Sequence, residues 1–448
     1  MPLKRGNFEC DVAIIGGGII GTALLYTLAK YSNIKSIALF EKYPELARVN
    51  SSSTKNSQTL HFGDIETHFS IRKVRLVKEA AEYLAALLEK HKQGRLYRKF
   101  PKMLLAVGEK EITTLNERFQ EIKNLFPKLQ KIDAKEIARL EPRLIKGRPK
   151  NQPVIALYSP DGFAVRFGAL ARHFSREAQR EKGKKIDVFL NEYLKTIQKD
   201  REGYLLKTSK RRLHAKVVVF AAGAHSLVFA KLLGYGKEKG ILPIVGSFYY
   251  SRIPLLKTKV YTVQDPDLPF MPLHADPDIN NPDETHIGPI PRIIPFLEKS
   301  KPSTLKGFLR TSVYSTKGVA SLFALLGKPK VLNYSINSLL QHTPILGKHL
   351  FIKEARKIIP SLQLEEIGYS SRFGGARPQL VNIRTKEAEI GESRIVGKNL
   401  IFNINPLPGA SACLGNALYE ADIVVKFLGP EYKFDKESFK KDLTRTDN

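Results

Sequence analysis

The stretch from Asp11 to Glu41, DVAIIGGGIIGTALLYTLAKYSNIKSIALFE, leaves this chain few choices of fold. Val12-Ala13-Ile14-Ile15 is a short apolar run rich in β-branched residues. Gly16-x-Gly18-x-x-Gly21 follows at once and opens an apolar, helix-like segment from Ile19 to Lys30. A second strand-like run, Ile37-Ala38-Leu39-Phe40, ends on an acid, Glu41. Strand, glycine turn, helix, strand and acid in that order predict a βαβ unit that binds a dinucleotide. Gly16 allows the tight turn, Gly18 lets a pyrophosphate approach the backbone, and Gly21 lets the helix pack close to the sheet. The N–H groups and dipole at the helix start would hold the phosphates. Glu41 lies 20 residues after Gly21, where a carboxylate can accept hydrogen bonds from a ribose. The motif does not choose between NAD and FAD.

At 448 residues and 42% hydrophobic content, the chain can bury a large core and predicts two domains. Its two cysteines, Cys10 and Cys413, have no metal-ligand spacing and form no disulfide framework, which fits a reducing cytoplasm. Lys4 and Arg5 precede an apolar run, but that run holds the glycine turn and no cleavage pattern follows. It reads as the first strand and helix, not a signal peptide. No apolar stretch is long enough to predict a transmembrane helix. Lys and Arg outnumber Asp and Glu by 73 to 44, a net charge of +29. Such a charge favours a membrane surface, a nucleic acid or an acidic substrate, or it belongs to a basic chain with no single partner.

Further along, Asn50 to Gly63 (NSSSTKNSQTLHFG) is too polar for a buried element and is a candidate to line the dinucleotide or to be a plain surface loop. Helical spacing predicts a helix over 71–91 and one or two surface helices over 112–140. Strands are expected at 103–107, 154–158 and 186–190, with a helix from 166 to 181. Val217 to Gly223 is an apolar strand ending in small residues, where another part of the dinucleotide site could lie. From Leu242 the pattern changes to antiparallel strands at 243–250 and 259–263, followed by frequent prolines. Residues 299–353 carry nine Lys or Arg and no acid. Leu305, Phe308, Leu309 and Val313 follow helical spacing beside Lys306 and Arg310, which suits a membrane face or a core-facing helix with solvated lysines. A strand at 400–404, the turn NPLPGAS over 405–411 and a helix over 412–427 return to the character of the first domain. Residues 435–448 read as a frayed charged tail.

Several blocks together resemble the FAD-dependent malate:quinone oxidoreductases, especially their shorter bacterial forms. They are Ile15 to Gly21, Asn50 to His61, Gly246-Ser-Phe-Tyr249, Val260 to Gln264 with Leu273-His-Ala-Asp-Pro277, Gly375-Ala-Arg-Pro-Gln379, and Pro406 to Ser411. The resemblance spans about residues 10 to 430. It implies an α/β chain with a discontinuous, glutathione-reductase-type Rossmann FAD domain and a second, antiparallel-sheet substrate domain. The expected bounds are 8–100, 155–235 and 370–430 for the first, 101–154 and 236–369 for the second, and 431–448 for a tail. It further implies oxidation of (S)-malate to oxaloacetate, noncovalent FAD, and transfer of electrons to a quinone at the inner face of the cell membrane.

Malate is a small dianion with a secondary alcohol, so its oxidation needs a base and cationic grips. Arg377, placed in an irregular stretch, is the expected carboxylate clamp. His274 is the expected base and His61 a substrate or flavin contact. Gln58 and Tyr249 are further candidates for the substrate pocket. For FAD the expected residues are Gly16, Gly18, Gly21 and Glu41, then Ser52, Ser57, Gln58, Thr59, Gly223, Gly409, Ala410 and Ser411. A helix N-terminus after Ser411 would stabilise negative charge developing on a flavin. No metal site is expected. A related flavoprotein acting on 2-hydroxyglutarate or an amino acid remains open. So does an RNA-binding flavoprotein, although no nucleic-acid module is present.

Overall fold

The computed structural model describes residues 8–445, apart from 201, 266, 269, 344, 390–393 and 405–408. The glycine turn does what its spacing predicts. Strand Phe8–Ile15 runs into helix Ile19–Tyr31, which returns the chain to strand Ser36–Phe40 alongside and parallel. The first sheet continues outward from these two. Its order is Arg394–Gly397, Leu400–Asn403, Arg212–Phe220, Phe8–Ile15, Ser36–Phe40, Lys185–Phe189. All neighbours in that row are parallel except Arg394–Gly397 with Leu400–Asn403. The central strands are buried on both faces, so they read as continuous apolar runs without alternation. A hairpin, Leu194–Asp200 with Gly203–Thr208, hangs antiparallel on Arg212–Phe220.

The second sheet has ten strands and is antiparallel except where Lys259–Thr262 runs parallel to Lys102–Val107. Its long strand, Lys239–Ser251, pairs with both Thr285–Ile293 and Ala376–Asn382. Strand membership moves two expected boundaries. Val154–Ser159 pairs with Lys102–Val107 in the second sheet, although 155–235 was assigned to the first domain. Gly368–Ser370, Ala376–Asn382 and Glu387–Glu389 also belong to the second sheet, although 370–430 was assigned to the first. Val154–Ser159 and Ala376–Asn382 are each paired on both sides, and each has a partner remote in sequence, which local pattern cannot show.

The expected helices stand at Ile71–Glu89, Phe167–Gln179 and Cys413–Leu428. Over 112–140 the chain instead forms helix Glu109–Ile122, strand Gln130–Ile132 and helix Ala134–Leu140. The tail is also corrected. Residues Lys436–Leu443 form a helix, and Phe439 is fully buried with its ring edge-on to Tyr31 and Tyr83. Phe439 and Leu443 are one turn apart and share the buried face, which a charged sequence hides.

Candidate active site

The dinucleotide cradle is formed by backbone. Gly16 has φ +119°, and a Cβ there would meet Ala221 O at 2.5 Å. A Cβ on Gly21 would meet Gly16 O at 2.1 Å, so helix and turn touch only through glycine. Gly18 differs: its Cβ would meet Ser51 Oγ alone, at 3.3 Å. The Ile19 N–H at the helix start donates to that same Ser51 hydroxyl at 3.0 Å. Gly223 has φ +56° at the start of helix Ala224–Leu232, with open space where a side chain would be. Glu41 is buried and accepts from Gly17 N–H at 2.8 Å and Tyr43 N–H at 2.9 Å. Burial raises its pKa, partly offset by those two bonds. A helix start behind the glycine turn, room beside Gly18 and Gly223, and a carboxylate at the second strand end fit FAD. Those residues would hold its pyrophosphate and ribose.

Loop 50–61 joins this cradle to the second sheet. Asn50 Nδ2 donates to Ala376 O at 2.8 Å, and Gly374 N–H to Thr54 O at 2.8 Å. Ser57 O accepts from Lys259 Nζ at 3.0 Å, and Thr59 Oγ1 meets the Tyr261 hydroxyl at 2.6 Å. Ser52 accepts on its carbonyl from Asn56 and Lys55, which folds the loop back on itself. Gln58 takes φ +60°, donates to Ser53 O and Asp278 Oδ2, and accepts from Ile279 N–H. Its amide is a strut between loop and second sheet, and the residue also lines a cavity with Phe248 and Asp276. From the other side, Ser411 Oγ accepts from His61 N–H at 2.9 Å, tying the loop to helix Cys413–Leu428. Gly409 and Ala410 precede that helix, and residues 405–408 of the same turn lie outside the described residues. Cys413 is fully buried, and burial pushes its thiol up to about 12.

Three titratable clusters meet at the loop. His61 Nδ1 lies 2.5 Å from Glu66 Oε1, and its ring is edge-on to Tyr261 at 6.0 Å. Burial opposes ionisation of Glu66, but His61 outweighs it and holds the carboxyl at about 2. His274 lies on strand His274–Pro277, stacked on Tyr261 at 4.8 Å and edge-on to Phe248 at 5.6 Å. Its Nδ1 is 2.7 Å from Asp276 Oδ2, and Lys259 Nζ is 3.4 Å from the other oxygen of that carboxylate. Burial raises the Asp276 pKa, and Lys259 and His274 together bring it below the ordinary value. Tyr261 therefore links the two histidines that the sequence singled out. Beside them, Lys102 Nζ and Asp64 Oδ1 form a buried ion pair at 2.6 Å.

Arg377 is in strand Ala376–Asn382, not in an irregular stretch, and pairs across to Ile244. Its guanidinium donates to Gln379 Oε1 and has no carboxylate within ion-pair distance among the described residues. Burial alone lowers its pKa to about 10. It reaches His68 electrostatically, a residue that nothing in the sequence marked. Tyr249 is corrected outright. It is 2% exposed in the core of the second domain, stacked on Phe351 at 4.4 Å, while Phe248 takes the opposite face toward His274. Ser51, Glu66, Asp276 and Lys259 also carry the site without having been named. Asp276 was within reach, inside the His-x-Asp-Pro block, whereas the others depend on how the loop folds. No cluster of metal-ligating side chains forms among the described residues.

A family model described as FAD dependent oxidoreductase matches residues 11–410. A protein of Campylobacter jejuni named "Probable malate:quinone oxidoreductase" is 38% identical over 96% of this chain and 98% of its own. The Helicobacter pylori protein named "Malate:quinone oxidoreductase" is 37% identical over 98% of each chain. Among solved structures, glycine oxidase from Geobacillus kaustophilus superposes over 99% of this chain and 100% of its own, at TM-score 0.64 and 21% identity. FAD-bound L-alpha-glycerophosphate oxidase from Mycoplasma pneumoniae covers 95% of this chain and 96% of its own, at TM-score 0.64 and 18% identity. The cradle, the two-sheet architecture and this near full-length likeness agree: the chain belongs to the FAD dependent oxidoreductase family and, within it, to the malate:quinone oxidoreductases.

Proposed function

We propose that this chain oxidises (S)-malate to oxaloacetate with bound FAD and passes the electrons to a quinone held in a membrane. The observation that carries this reading is Arg377, a half-buried guanidinium without a carboxylate partner among the described residues. A partly desolvated cation without a counter-ion is unfavourable, and a substrate carboxylate would satisfy it with two parallel bonds. The near full-length relatives bear the matching name. When bound, FAD supplies a two-electron acceptor that a quinone can reoxidise.

The chain's own residues supply the rest. His274 takes the proton of the C2 hydroxyl, and Asp276 fixes its ring and stabilises the imidazolium that forms. Lys259 keeps Asp276 ionised for that purpose. Arg377 orients the dianion. His61, held by Glu66, contacts the substrate or the flavin.

The test is the absorption spectrum of the purified protein before and after malate, without NAD. Bleaching of the flavin is the expected result. A flavin that ignores malate and bleaches with 2-hydroxyglutarate would replace this reading with the activity named for a Caenorhabditis elegans relative, "L-2-hydroxyglutarate dehydrogenase, mitochondrial". That protein is 28% identical over 60% of this chain. Arg377→Lys keeps charge but loses the fork, and should raise the malate KM at least about tenfold. His274→Ala should lower kcat about a hundredfold or more at normal flavin content.

A further inference from the structure

Among the described residues, ten of the seventeen large hydrophobic side chains left exposed lie between Leu305 and Leu346. That density, in less than a tenth of the chain, exceeds what scattered surface apolar residues produce. The helices there are turned the wrong way for water. Helix Pro329–Leu340 buries Val331 and Ser338, and exposes Leu332, Ile336 and Leu339, one stripe at helical spacing. Helix Thr316–Leu326 buries Gly318, Ser321 and Leu325, and leaves Phe323 73% exposed. Between the second and third helices stands Ile345, 80% exposed and at φ +61°, a conformation β-branched residues avoid.

Charge completes the surface. From 299 to 353 there are nine Lys or Arg and no acid. Lys330 is paired with Asp265 and Asp267, Lys299 donates to backbone carbonyls, and Lys301 donates to Tyr43. Lys306, Arg310, Lys317 and Lys328 are exposed and have no acidic partner among the described residues. No described helix is long and apolar enough to cross a membrane.

We propose that the outward stripe Phe323, Leu332, Ile336, Leu339 and Ile345 enters an anionic lipid surface, with Lys306, Arg310, Lys317 and Lys328 meeting its headgroups. An exposed apolar stripe in a segment with unopposed cations complements such a surface. It does not complement a second copy, which would oppose cation to cation. The proposal rests on the quinone reading in one respect: a lipid-soluble acceptor is reached from that surface.

The test is flotation of the FAD-loaded full chain with vesicles. The wild type should float with mixed phosphatidylglycerol and phosphatidylcholine, and bind phosphatidylcholine alone about tenfold more weakly. Phe323→Ser, Ile336→Ser and Leu339→Ser combined should weaken flotation about a hundredfold. Malate bleaching and the rate with a water-soluble acceptor should not change, which also shows that the variant is folded. The rate with a vesicle-embedded quinone should fall in step with flotation. Equal flotation of variant and wild type, or no flotation of the wild type, would overturn the proposal. A lipid-free dimer that only the wild type forms, without flotation, would overturn it in favour of a subunit interface. Flotation that persists without malate bleaching supports the docking face and counts against the proposed activity alone.

Discussion

Gly18 and Gly21 do different work three residues apart. A methyl at Gly21 collides with backbone, Gly16 O at 2.1 Å, and nothing flexible can yield. A methyl at Gly18 meets only a serine hydroxyl at 3.3 Å. Gly21→Ala should lower the melting temperature and flavin content together. Gly18→Ala should leave the melting temperature of flavin-free protein within about 2 °C, yet weaken FAD binding about tenfold or more, because only the phosphate needs that space. Flavin fluorescence titration and thermal melts check both. His68 offers a second test at this scale. Burial lowers its pKa from 6.5 to about 4, so the folded chain resists a proton that the unfolded chain accepts. A depressed histidine contributes stability that is present above pH 6.5 and is lost as pH falls toward 4. His68→Gln should therefore flatten the loss of stability between those two pH values, read from urea midpoints. The three glycines were readable because the turn's backbone demands them. Ser51, Glu66 and His68 were not, because each lies in a stretch that has no period.

At the scale of elements, strongly periodic segments were legible within a few residues. Helix Ile71–Glu89 and strand Arg212–Phe220 follow apolar runs that permit one structure each. The hairpin Leu194–Asp200 with Gly203–Thr208 leaves no apolar signal in the sequence because its outer strand is largely exposed and polar. Helix Lys436–Leu443 leaves little signal because only two apolar residues tie it down. Those two matter. Phe439→Ala should cost about 3–5 kcal/mol in denaturant unfolding, the range for emptying a fully buried phenylalanine site. Asp442 pairs with Lys30 and Arg445 with Glu89, both exposed enough that removing either alone should cost well under about 1 kcal/mol.

At the scale of the whole molecule, Glu298 fastens the two sheets together. It accepts from Lys42 Nζ, from the Tyr43 hydroxyl at 2.5 Å and from His225 Nε2 at 2.7 Å, and it is 5% exposed. Lys42 and Tyr43 directly follow Glu41, so the fastening lies beside the ribose end of the cradle. Burial opposes its charge, but His225 and Lys42 hold its carboxyl below the usual range. Its stability contribution is present above the ordinary carboxylate pKa and fades as pH falls through the folded value. Glu298→Gln should destabilise by about 1.5–3 kcal/mol, since it weakens three hydrogen bonds to a buried charged carboxylate, and flavin should leave the variant faster. Stopped dilution monitored by flavin fluorescence measures that rate. Two-domain architecture was legible, but the strand exchanges at Val154–Ser159 and Ala376–Asn382 were not, because sheet neighbours are set by distant partners.

The row of parallel strands that begins with the glycine turn is completed by Leu400–Asn403. At about 5–20 residues per second of synthesis, that strand leaves the ribosome roughly twenty seconds to over a minute after the turn. Meanwhile Ile19–Tyr31, apolar nearly all round, has no finished shelter. The nascent chain therefore needs protection from aggregation over that interval. Coenzyme capture becomes a late event in its biogenesis.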